Sequence, residues 1–562
     1  MKSTLEFLGE LRAAGVMLSL EGETLKCSAP KGVLTPELRE ELARKKQDIL
    51  DFLRVSREAA RAGGAGIPRA DRSRPLALSF AQQRLWFLSQ LDPENVAYNM
   101  AAALRMRGPL HREVLEKSLS TIVLRHEALR TCFVQRDGIP QATLGDGSAW
   151  HVESVDLRHV PAALQDDAIL TAAQEIVQTP LDLESGPLFR AALLTLSPEL
   201  HVLVLVMHHI VSDGWSMGVF VEEFKALYQA GVEGRDAALP ALPIQYPDYA
   251  EWHRKWLEGG EVERQLGYWK TQLAGSPAVV QFPADHPRLR RETFEGHRSR
   301  MALPASMVAE LEQLGQREGA TLFMVLLAAF KTLLFRYTGQ TDVVVGSPSA
   351  NRSRSELHGL IGFFVNNLVL RTNLEGSPSF RELLSRVREM TLRAYDHQDV
   401  PFEKLVQALR PERDLDHAPL FQTMFSFQNF PLEDLELSGL TISPVEADFG
   451  TARYDLTVEA WPRHGELRID FEYNTHLYDR ETIEQLKGHF LALLTAVIAD
   501  PARKIDEIPL LSTAERRQLV EEWNDTFEPT ENALCFHQHF ERQAQETPDG
   551  TAVVAGDEVL SQ

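Results

Sequence analysis

Apolar residues recur along the chain with two different periods. Alternating or short unbroken apolar runs predict strands at residues 203–206, 342–346, 365–371 and 466–473, and apolar residues spaced three or four apart between them predict helices. Mixed elements of this kind are typical of the α/β class. We therefore predict an α/β sandwich over most of the chain.

The predicted sandwich is too long for a single ordinary core. It runs from residue 76 to residue 511, and a proline-rich break at residues 240–247 interrupts the pattern. We expect an N-lobe at residues 76–250 and a C-lobe at residues 251–511. A groove between two such lobes is a natural place for a ligand.

The first 56 residues predict a separate small α/β domain. Leu5, Leu8 and Leu11 recur at helical spacing, and residues 16–20 and 24–28 predict a hairpin. A domain of this size buries little surface, so a partner would help to stabilise it.

Two other segments differ from the sandwich. Residues 57–75 are rich in Ala, Gly, Pro and Arg without apolar periodicity, which predicts a linker. Residues 512–562 contain a helix start and a strand pattern at 551–555, and we expect them to be the beginning of a further domain that the chain does not complete.

Charge and composition exclude several functions. The chain of 562 residues has 80 acidic and 58 basic residues and a net charge of -22, which disfavours binding to nucleic acid or to an anionic membrane. Three cysteines are too few for a disulfide framework or a Cys-rich metal site. No apolar run approaches the roughly 20 residues of a membrane span, and the N-terminus lacks a signal-peptide pattern, so we expect a cytoplasmic protein.

The residues most indicative of chemistry follow the apolar run at residues 201–206. His208 and His209 come at the end of this predicted strand, and Asp213 and Gly214 follow closely. A histidine at a strand end can act as a general base because its ordinary pKa is near 6.5. A buried core histidine is the plainer alternative.

Other chemistries fit this segment less well. No third ligand lies near the histidine pair in the sequence, so we predict no metal site. Gly214, Ser216 and Gly218 match the form of a hydrolase nucleophile elbow, but Ser216 follows the strand by several residues and is better explained as a helix N-cap. The chain has no phosphate-binding glycine loop, so we predict no bound nucleotide cofactor.

Residues 207–216 resemble the His-His-x-x-x-Asp-Gly signature of condensation domains from non-ribosomal peptide synthetases. Six further segments resemble that family's motifs in the same order, at residues 79–86, 125–133, 246–249, 361–368, 397–403 and 413–422. The resemblance implies two lobes, each similar to chloramphenicol acetyltransferase, which meet in a V around a tunnel. It covers residues 76–511.

The resemblance also implies an activity. Such domains form a peptide bond between a donor acyl or peptidyl thioester and an acceptor aminoacyl thioester. Both substrates are carried by phosphopantetheine arms of partner carrier proteins, so no cofactor is expected to be bound covalently to this chain. The upstream carrier supplies the donor, and the downstream carrier, next to an adenylation domain, supplies the acceptor.

The family motif assigns roles to the residues of the loop. His209 matches the catalytic position, either as a general base or as a group that positions the amine. His208 is expected to orient the turn, and Gly214 to permit a tight backbone. Asp213 is expected to face away from the tunnel and to form a buried pair with Arg125.

A second set of residues is expected on the acceptor side of the tunnel. In the family, the segment at 361–368 helps to close the tunnel, and Asn367 stands where a threonine is common. Trp215 precedes Ser216, an order that resembles condensation rather than epimerisation domains. The tunnel or acceptor-side candidates are Ser347, Ser349, Asn366, Asn367 and Trp215.

Both ends of the chain carry resemblances of their own. Residues 15–18 and 29–38 resemble N-terminal docking domains of the tubulysin-synthetase type, which receive the C-terminal tail of an upstream synthetase and can form homodimers. Residues 522–524, 540–543 and 547–549 resemble the start of an adenylation domain. We thus expect docking at residues 1–56 and a truncated adenylation start at residues 512–562.

Two rival functions remain compatible with the motif. A freestanding acyltransferase that uses a soluble thioester would share the fold and the histidines, but it would need no docking segment. A non-catalytic scaffold module could keep the fold but would have no reason to retain His209, Asp213 and Gly214 together.

Overall fold

The computed structural model describes residues 66–148, 150–280, 282–289, 293–409, 417–428, 434–463, 465–526, 534–555 and 558–561, and the backbone of two short N-terminal strands. These strands, β1 (Met17–Glu21) and β2 (Thr24–Ser28), pair antiparallel and confirm the predicted hairpin. The predicted helices of the first 56 residues and residues 57–65 of the linker lie outside the described residues. The chain forms two compact units, residues 1–510 and residues 511–562.

The first lobe is built mainly by the N-terminal half of the larger unit. Its strands are β3 (Asn99–Arg107), β4 (Thr131–Arg136), β5 (Ile139–Leu144), β6 (Val152–Asp156), β7 (Phe189–Ser197) and β8 (Leu200–His208). Its helices are α1 (Phe80–Leu91), α2 (Arg112–Arg125), α3 (Gln165–Val177) and α4 (Gly214–Val232).

Two further helices, α5 (Tyr246–Trp256) and α6 (Gly260–Gln272), lead into the second lobe. The strands of that half of the chain are β9 (Gly296–Leu303), β10 (Asp342–Ser349), β11 (Asn366–Asn373), β12 (Thr423–Phe427), β13 (Leu435–Leu437), β14 (Leu440–Pro444), β15 (Leu456–Arg463) and β16 (Glu466–Asn474). Its helices are α7 (Ala305–Arg317), α8 (Leu322–Thr338), α9 (Phe380–Tyr395), α10 (Phe402–Leu409) and α11 (Arg480–Ala499).

The described residues of the two lobes contain two six-stranded mixed sheets. The first has the order β13-β14-β3-β8-β7-β6, and the second has the order β11-β10-β12-β15-β16-β9. Each sheet packs helices onto an apolar face, and each lobe has its own hydrophobic core. The α/β class and the four predicted strands are confirmed by β8, β10, β11 and β16.

The sheets are not built from continuous halves of the chain. Strands β13 and β14 come late in the sequence, yet β14 pairs with β3 of the first lobe, with Thr441 opposite Arg107. Leu357, Leu360 and Phe364, between β10 and β11, also belong to the first lobe's core. Residues 250 and 251, the sequence-based division between the lobes, both lie within α5.

Local sequence signals explain several helix starts. Ser79 begins α1 and Ser379 begins α9 with reciprocal capping boxes, formed with Gln82 and Glu382 respectively. Helix α8 is apolar on nearly every side, and most of its residues are buried in the second core. An amphipathic stripe therefore does not identify α8, because both its faces pack against other elements.

Among the described helices, none is long and apolar enough by itself to cross a membrane. Helices α7 and α8 pass the test of length and composition only as a pair, bent by 98°.

The smaller unit contains two described α-helices, α12 (Thr513–Arg517) and α13 (Phe536–Glu546), a π-helical segment at Gln518–Glu522, and a hairpin of β17 (Thr551–Ala555) and β18 (Glu558–Ser561). The predicted strand at 551–555 is β17.

Candidate active site

Strand β8 ends at the histidine pair, which lies where the strand meets the loop that precedes α4. The His208 N–H donates to the Leu188 carbonyl at 2.9 Å, and the His209 N–H donates to the Tyr98 carbonyl at 2.8 Å. Residues His209–Val211 then form one short 3-10 turn. Sheet hydrogen bonding therefore continues up to the catalytic candidate and fixes its backbone.

The His208 ring forms a hydrogen bond with the backbone of its own loop. Its Nδ1 accepts a hydrogen bond from the Ile210 N–H at 3.1 Å, so the neutral ring carries its proton on Nε2. Burial lowers the pKa of His208 to about 3, and the neighbouring His209 contributes in the same direction. This neutral, buried ring supports the prediction that His208 orients the turn.

His209 has the geometry of a hydrogen-bond acceptor. Its Nδ1 lies 2.8 Å from the Ser212 carbonyl oxygen, and because a carbonyl can only accept, Nδ1 must donate. The lone pair is then on Nε2. Burial lowers the pKa of His209 to about 4, the positive charge of Arg453 adds to this effect, and the Ser212 carbonyl opposes it. The imidazole is therefore uncharged at neutral pH.

The predicted partner of Asp213 is wrong. Asp213 Oδ1 lies 3.0 Å from Arg352 Nη2, and the Arg125 Nε donates instead to Glu223 Oε1 at 2.9 Å. Both acids belong to the α4 region, but Asp213 precedes its first turn and Glu223 lies ten residues later, roughly 15 Å along the axis. Arg125, at the end of α2, is bound to Glu223 in the middle of α4 and cannot reach both acids.

Residues 209–213, the loop that carries the catalytic candidate His209, are called the catalytic loop. Asp213 connects this loop to the segment between β10 and β11. It is buried and caps α4 by accepting from the Ser216 N–H at 2.8 Å and the Ser216 Oγ at 2.6 Å. Its Oδ2 accepts from the Phe364 N–H at 2.9 Å. The predicted N-cap role of Ser216 is therefore wrong: Asp213 is the N-cap, and Ser216 occupies the third helical position.

Arg352 completes this buried connection. Besides Asp213, it donates to the carbonyls of Leu357 at 2.6 Å and Leu360 at 2.7 Å, and its guanidinium lies 4.0 Å from the centroid of the Phe364 ring. Burial lowers the pKa of Arg352, while Asp213 opposes that effect. The ion pair thus joins the two halves of the chain below the catalytic loop.

Gly214 and Trp215 face the second half of the chain. A Cβ on Gly214 would meet Gln428 Oε1 at an ordinary 3.5 Å, and the residue has no positive φ, so the expected need for a tight glycine backbone is not found. The Trp215 indole is 45% exposed and donates to the His358 carbonyl at 3.0 Å.

The predicted acceptor-side residues lie on opposite faces of the second sheet. Asn366 donates to the Val400 carbonyl at 2.7 Å, and Ser349 donates to Gln398 at 2.5 Å. Ser347, Ser349 and Asn366 are buried on one face of the sheet, whereas Asn367, the next residue of β11, points to the other face. Grouping all four on one surface is therefore wrong. Only Asn367 projects from the other face, where it donates to the Tyr454 hydroxyl at 3.2 Å.

Several residues of the site were missed by sequence reasoning. Arg352 follows β10 in an Ala-Asn-Arg triplet, but it lies 139 positions after Asp213, and no local pattern connects them. Phe363 was considered only as part of the segment at 361–368, yet the centroid of its ring lies 4.9 Å from that of the His209 ring. Arg453 had no signal beyond its charge.

No group of three or more His, Cys, Asp or Glu side chains in the described part of the chain could hold a metal ion.

Comparison with known proteins identifies the class. The family model "Condensation domain" matches residues 73–520, and the model "TubC N-terminal docking domain" matches residues 5–54. The chain therefore belongs to the condensation-domain family of non-ribosomal peptide synthetases, whose members catalyse amide-bond formation, and it carries a docking domain of the TubC type at its N-terminus.

The relatives are much larger synthetases. One of the proteins that make up linear gramicidin synthase of Brevibacillus parabrevis is 46% identical over 486 residues, which are 86% of this chain and 6% of that protein. Malpinin synthetase of Mortierella alpina is 41% identical over 538 residues, 96% of this chain and 7% of that protein. The chain thus spans only a small part of the length of these relatives.

Solved structures show the same fold. The first condensation domain of the calcium-dependent antibiotic synthetase, in complex with a substrate analogue, is 25% identical with a TM-score of 0.67, covering 78% of this chain and 100% of that one. The starter condensation domain of rhizomide synthetase, in complex with C8-CoA, is 26% identical with a TM-score of 0.69, covering 78% of this chain and 98% of that one. The two-lobed chloramphenicol-acetyltransferase-like class is confirmed.

Proposed function

We propose that residues 76–511 join a donor acyl or peptidyl thioester to the amine of an acceptor aminoacyl thioester, with both substrates tethered to carrier proteins. The observation that carries this proposal is the geometry of His209. A strand end holds the imidazole, its Nδ1 donates to the Ser212 carbonyl at 2.8 Å, and its Nε2 lone pair remains available to an amine. Family membership supplies the substrate class.

The lowered pKa of His209 favours one of the two roles considered for it. An α-amine has an ordinary pKa of about 7.7 to 8, and the pKa of His209 is about 4. Moving a proton from the ammonium to this imidazole would cost about 5 kcal/mol, at 1.36 kcal/mol for each pKa unit. This cost argues against deprotonation of the resting ammonium by His209.

We infer instead that His209 positions the neutral amine by accepting its N–H at Nε2. As the new N–C bond forms, the amine nitrogen becomes positively charged and more acidic, and His209 can then take its proton. The C–S bond breaks as the tetrahedral intermediate collapses, and the proton ends on the departing pantetheine thiolate. Atoms and charges balance without any further reactant.

The partners follow from the same proposal. The upstream and downstream carriers supply the phosphopantetheine arms, and the chain itself needs no covalently bound cofactor. Residues 1–56 receive the C-terminal tail of an upstream synthetase, with β1–β2 as the hairpin for strand addition, and they dimerise. Residues 512–562 begin an adenylation domain, and the protein acts in the cytoplasm.

A reconstitution assay tests the catalytic part. The unaltered chain is mixed with donor and acceptor carriers loaded from a panel of aminoacyl groups, and dipeptidyl carrier is measured by mass spectrometry. We expect product from at least one pair, and loss of that product in His209→Ala. The matched control is His201→Ala, a buried histidine on the same strand, which should keep normal turnover.

The assay also separates the rival functions. Product from a soluble aminoacyl thioester with no requirement for an acceptor carrier would favour a freestanding acyltransferase. Absence of product from every pair, with a correctly folded chain, would favour a scaffold. Normal turnover by His209→Ala would remove His209 from the mechanism.

A further inference from the structure

A short backbone segment of the second half of the chain, residues 362–364, is held by side chains of the first lobe. Its first N–H donates to Ser216 Oγ at 3.1 Å, and its second carbonyl accepts from the Tyr246 hydroxyl at 2.6 Å. Its third N–H donates to Asp213 Oδ2 at 2.9 Å. Three consecutive residues are thus fixed by hydrogen bonds between the two halves of the chain.

The middle residue of this segment directs its side chain at the catalytic candidate. The Phe363 and His209 rings have centroids 4.9 Å apart and planes inclined by 62°, an edge-to-face contact. On its other side, the His209 ring is held by one hydrogen bond, which Nδ1 donates to the Ser212 carbonyl. One hydrogen bond leaves an imidazole free to tilt about its χ2 bond, whereas a ring packed against it blocks that tilt.

We propose that Phe363 is a positioning residue for the His209 imidazole, and that Ser216 sets the position of Phe363 through the backbone of Gly362. The proposal rests on the proposed function, in which Nε2 of His209 must point at the acceptor amine. A condensation reaction tolerates little error in that direction, because displacements of about 1 Å can cost 100-fold in rate.

Ser216 is suited to this task because its hydroxyl is bonded to residues from both halves of the chain. Its Oγ accepts from the Gly362 N–H and from Arg352 Nη2 at 2.9 Å, and its own proton can go to Asp213 at 2.6 Å or to the Gly362 carbonyl at 2.9 Å. The side chain is fully buried, so water cannot replace these bonds. Removing the hydroxyl therefore loosens the backbone that carries Phe363 at Gly362, while the bonds from Tyr246 and to Asp213 remain.

The alternative is that Phe363 forms only a wall of the substrate site. A wall would change substrate binding and leave the imidazole unaffected. The charged or titratable groups acting on His209 are His208, Asp213 and Arg453. Substituting Phe363 alters none of these groups. A change in the pKa of His209 would therefore result from the loss of the ring packed against the imidazole.

The test is an NMR pH titration of the full chain labelled with ¹³C-histidine. The His209 signal is identified as the one that disappears in His209→Ala. In Phe363→Leu, water reaches the ring, and we expect the pKa of His209 to rise by about one unit towards 6.5. We also expect kcat to fall at least tenfold with little change in KM for the acceptor carrier. Phe363→Tyr keeps the ring and should restore both values.

Ser216→Ala should shift the pKa of His209 in the same direction, although it does not touch the imidazole. Two control variants lose comparable packing or hydroxyl groups elsewhere. Phe330→Leu removes a buried ring from the second core, and Ser118→Ala removes a buried hydroxyl that bonds only within α2. Both controls should leave the His209 titration unchanged.

Two results would overturn the proposal: an unchanged pKa of His209 in Phe363→Leu, or a change in KM alone. The NMR measurement needs no substrate, so it also separates this inference from the proposed function. If the unaltered chain makes no dipeptide but the pKa shifts as expected, the positioning contact stands and the condensation proposal fails.

Discussion

The buried pair of Asp213 and Arg352 provides a quantitative test of how the two halves of the chain are joined. Their side chains are 2% and 1% exposed, and the two groups lie 3.0 Å apart. In Asp213→Leu, the guanidinium stays buried without its counter-charge, and the N–H groups of Ser216 and Phe364 lose their acceptor. Removing one member of such a pair costs about 3 to 5 kcal/mol.

This cost converts into a measurable melting shift. Unfolding entropy is about 2.1 cal/mol/K per residue, or about 0.9 kcal/mol/K for the two lobes, so the main calorimetric transition should fall by roughly 3 to 6 °C. The double variant Asp213→Leu with Arg352→Met removes both charges and should recover much of the loss. The control is Asp156→Asn, which breaks an exposed pair with Arg158 and should leave the transition in place.

Two results would contradict this reasoning. An unchanged melting temperature in Asp213→Leu would mean that the pair contributes nothing to holding the loop. A double variant as unstable as both single variants added together would mean that the two residues act independently, whatever their distance.

Two further predictions concern packing and pH. Gly362→Ala would place a Cβ 2.1 Å from the Tyr246 ring, so the melting temperature should fall, whereas Gly267→Ala, with open space around its Cβ, should keep or raise it. Burial lowers the pKa of Lys331 to about 7, whereas a lysine in the unfolded chain has a pKa of roughly 10.4. Between these two pH values Lys331 is protonated in the unfolded chain but not in the folded one, so the free energy of unfolding rises with pH. Lys331→Met should therefore gain most in melting temperature at pH 6 and less at pH 9; a gain independent of pH would contradict the shifted pKa.

Local patterns were sufficient for much of the fold. The apolar run before His208 predicted β8, and the run beginning at Asp342 predicted β10, because a strand buried in a sheet needs apolar side chains in a short unbroken stretch. The exchange of β13 and β14 into the first sheet could not be predicted in this way. Strand β13 pairs with β14, and β14 pairs with β3, which lies more than 300 positions earlier. Strand pairing over such distances leaves no periodicity in either segment.

The errors at the site have a similar origin. Arg125 was assigned to Asp213 because both belong to ordered family motifs, and motif order does not measure distance in the fold. Asn366 was grouped with Asn367 because the two are adjacent in the segment at 361–368, and Ser347 was added because it follows the predicted strand at 342–346. Neighbouring residues of a strand point to opposite faces, so Asn366 packs against Val400 while Asn367 reaches Tyr454.

The sequence by itself determined the class of the protein, its family and the position of His209 after a buried strand, because each depends on residues that are close together in the chain. Only the tertiary structure decided which groups act on that imidazole. Arg352, Phe363 and Arg453 reach the catalytic loop from distant segments, and burial then sets the charge of His209. Partner choice and desolvation depend on how the two halves of the chain pack together, and that packing arises only when the whole chain has folded.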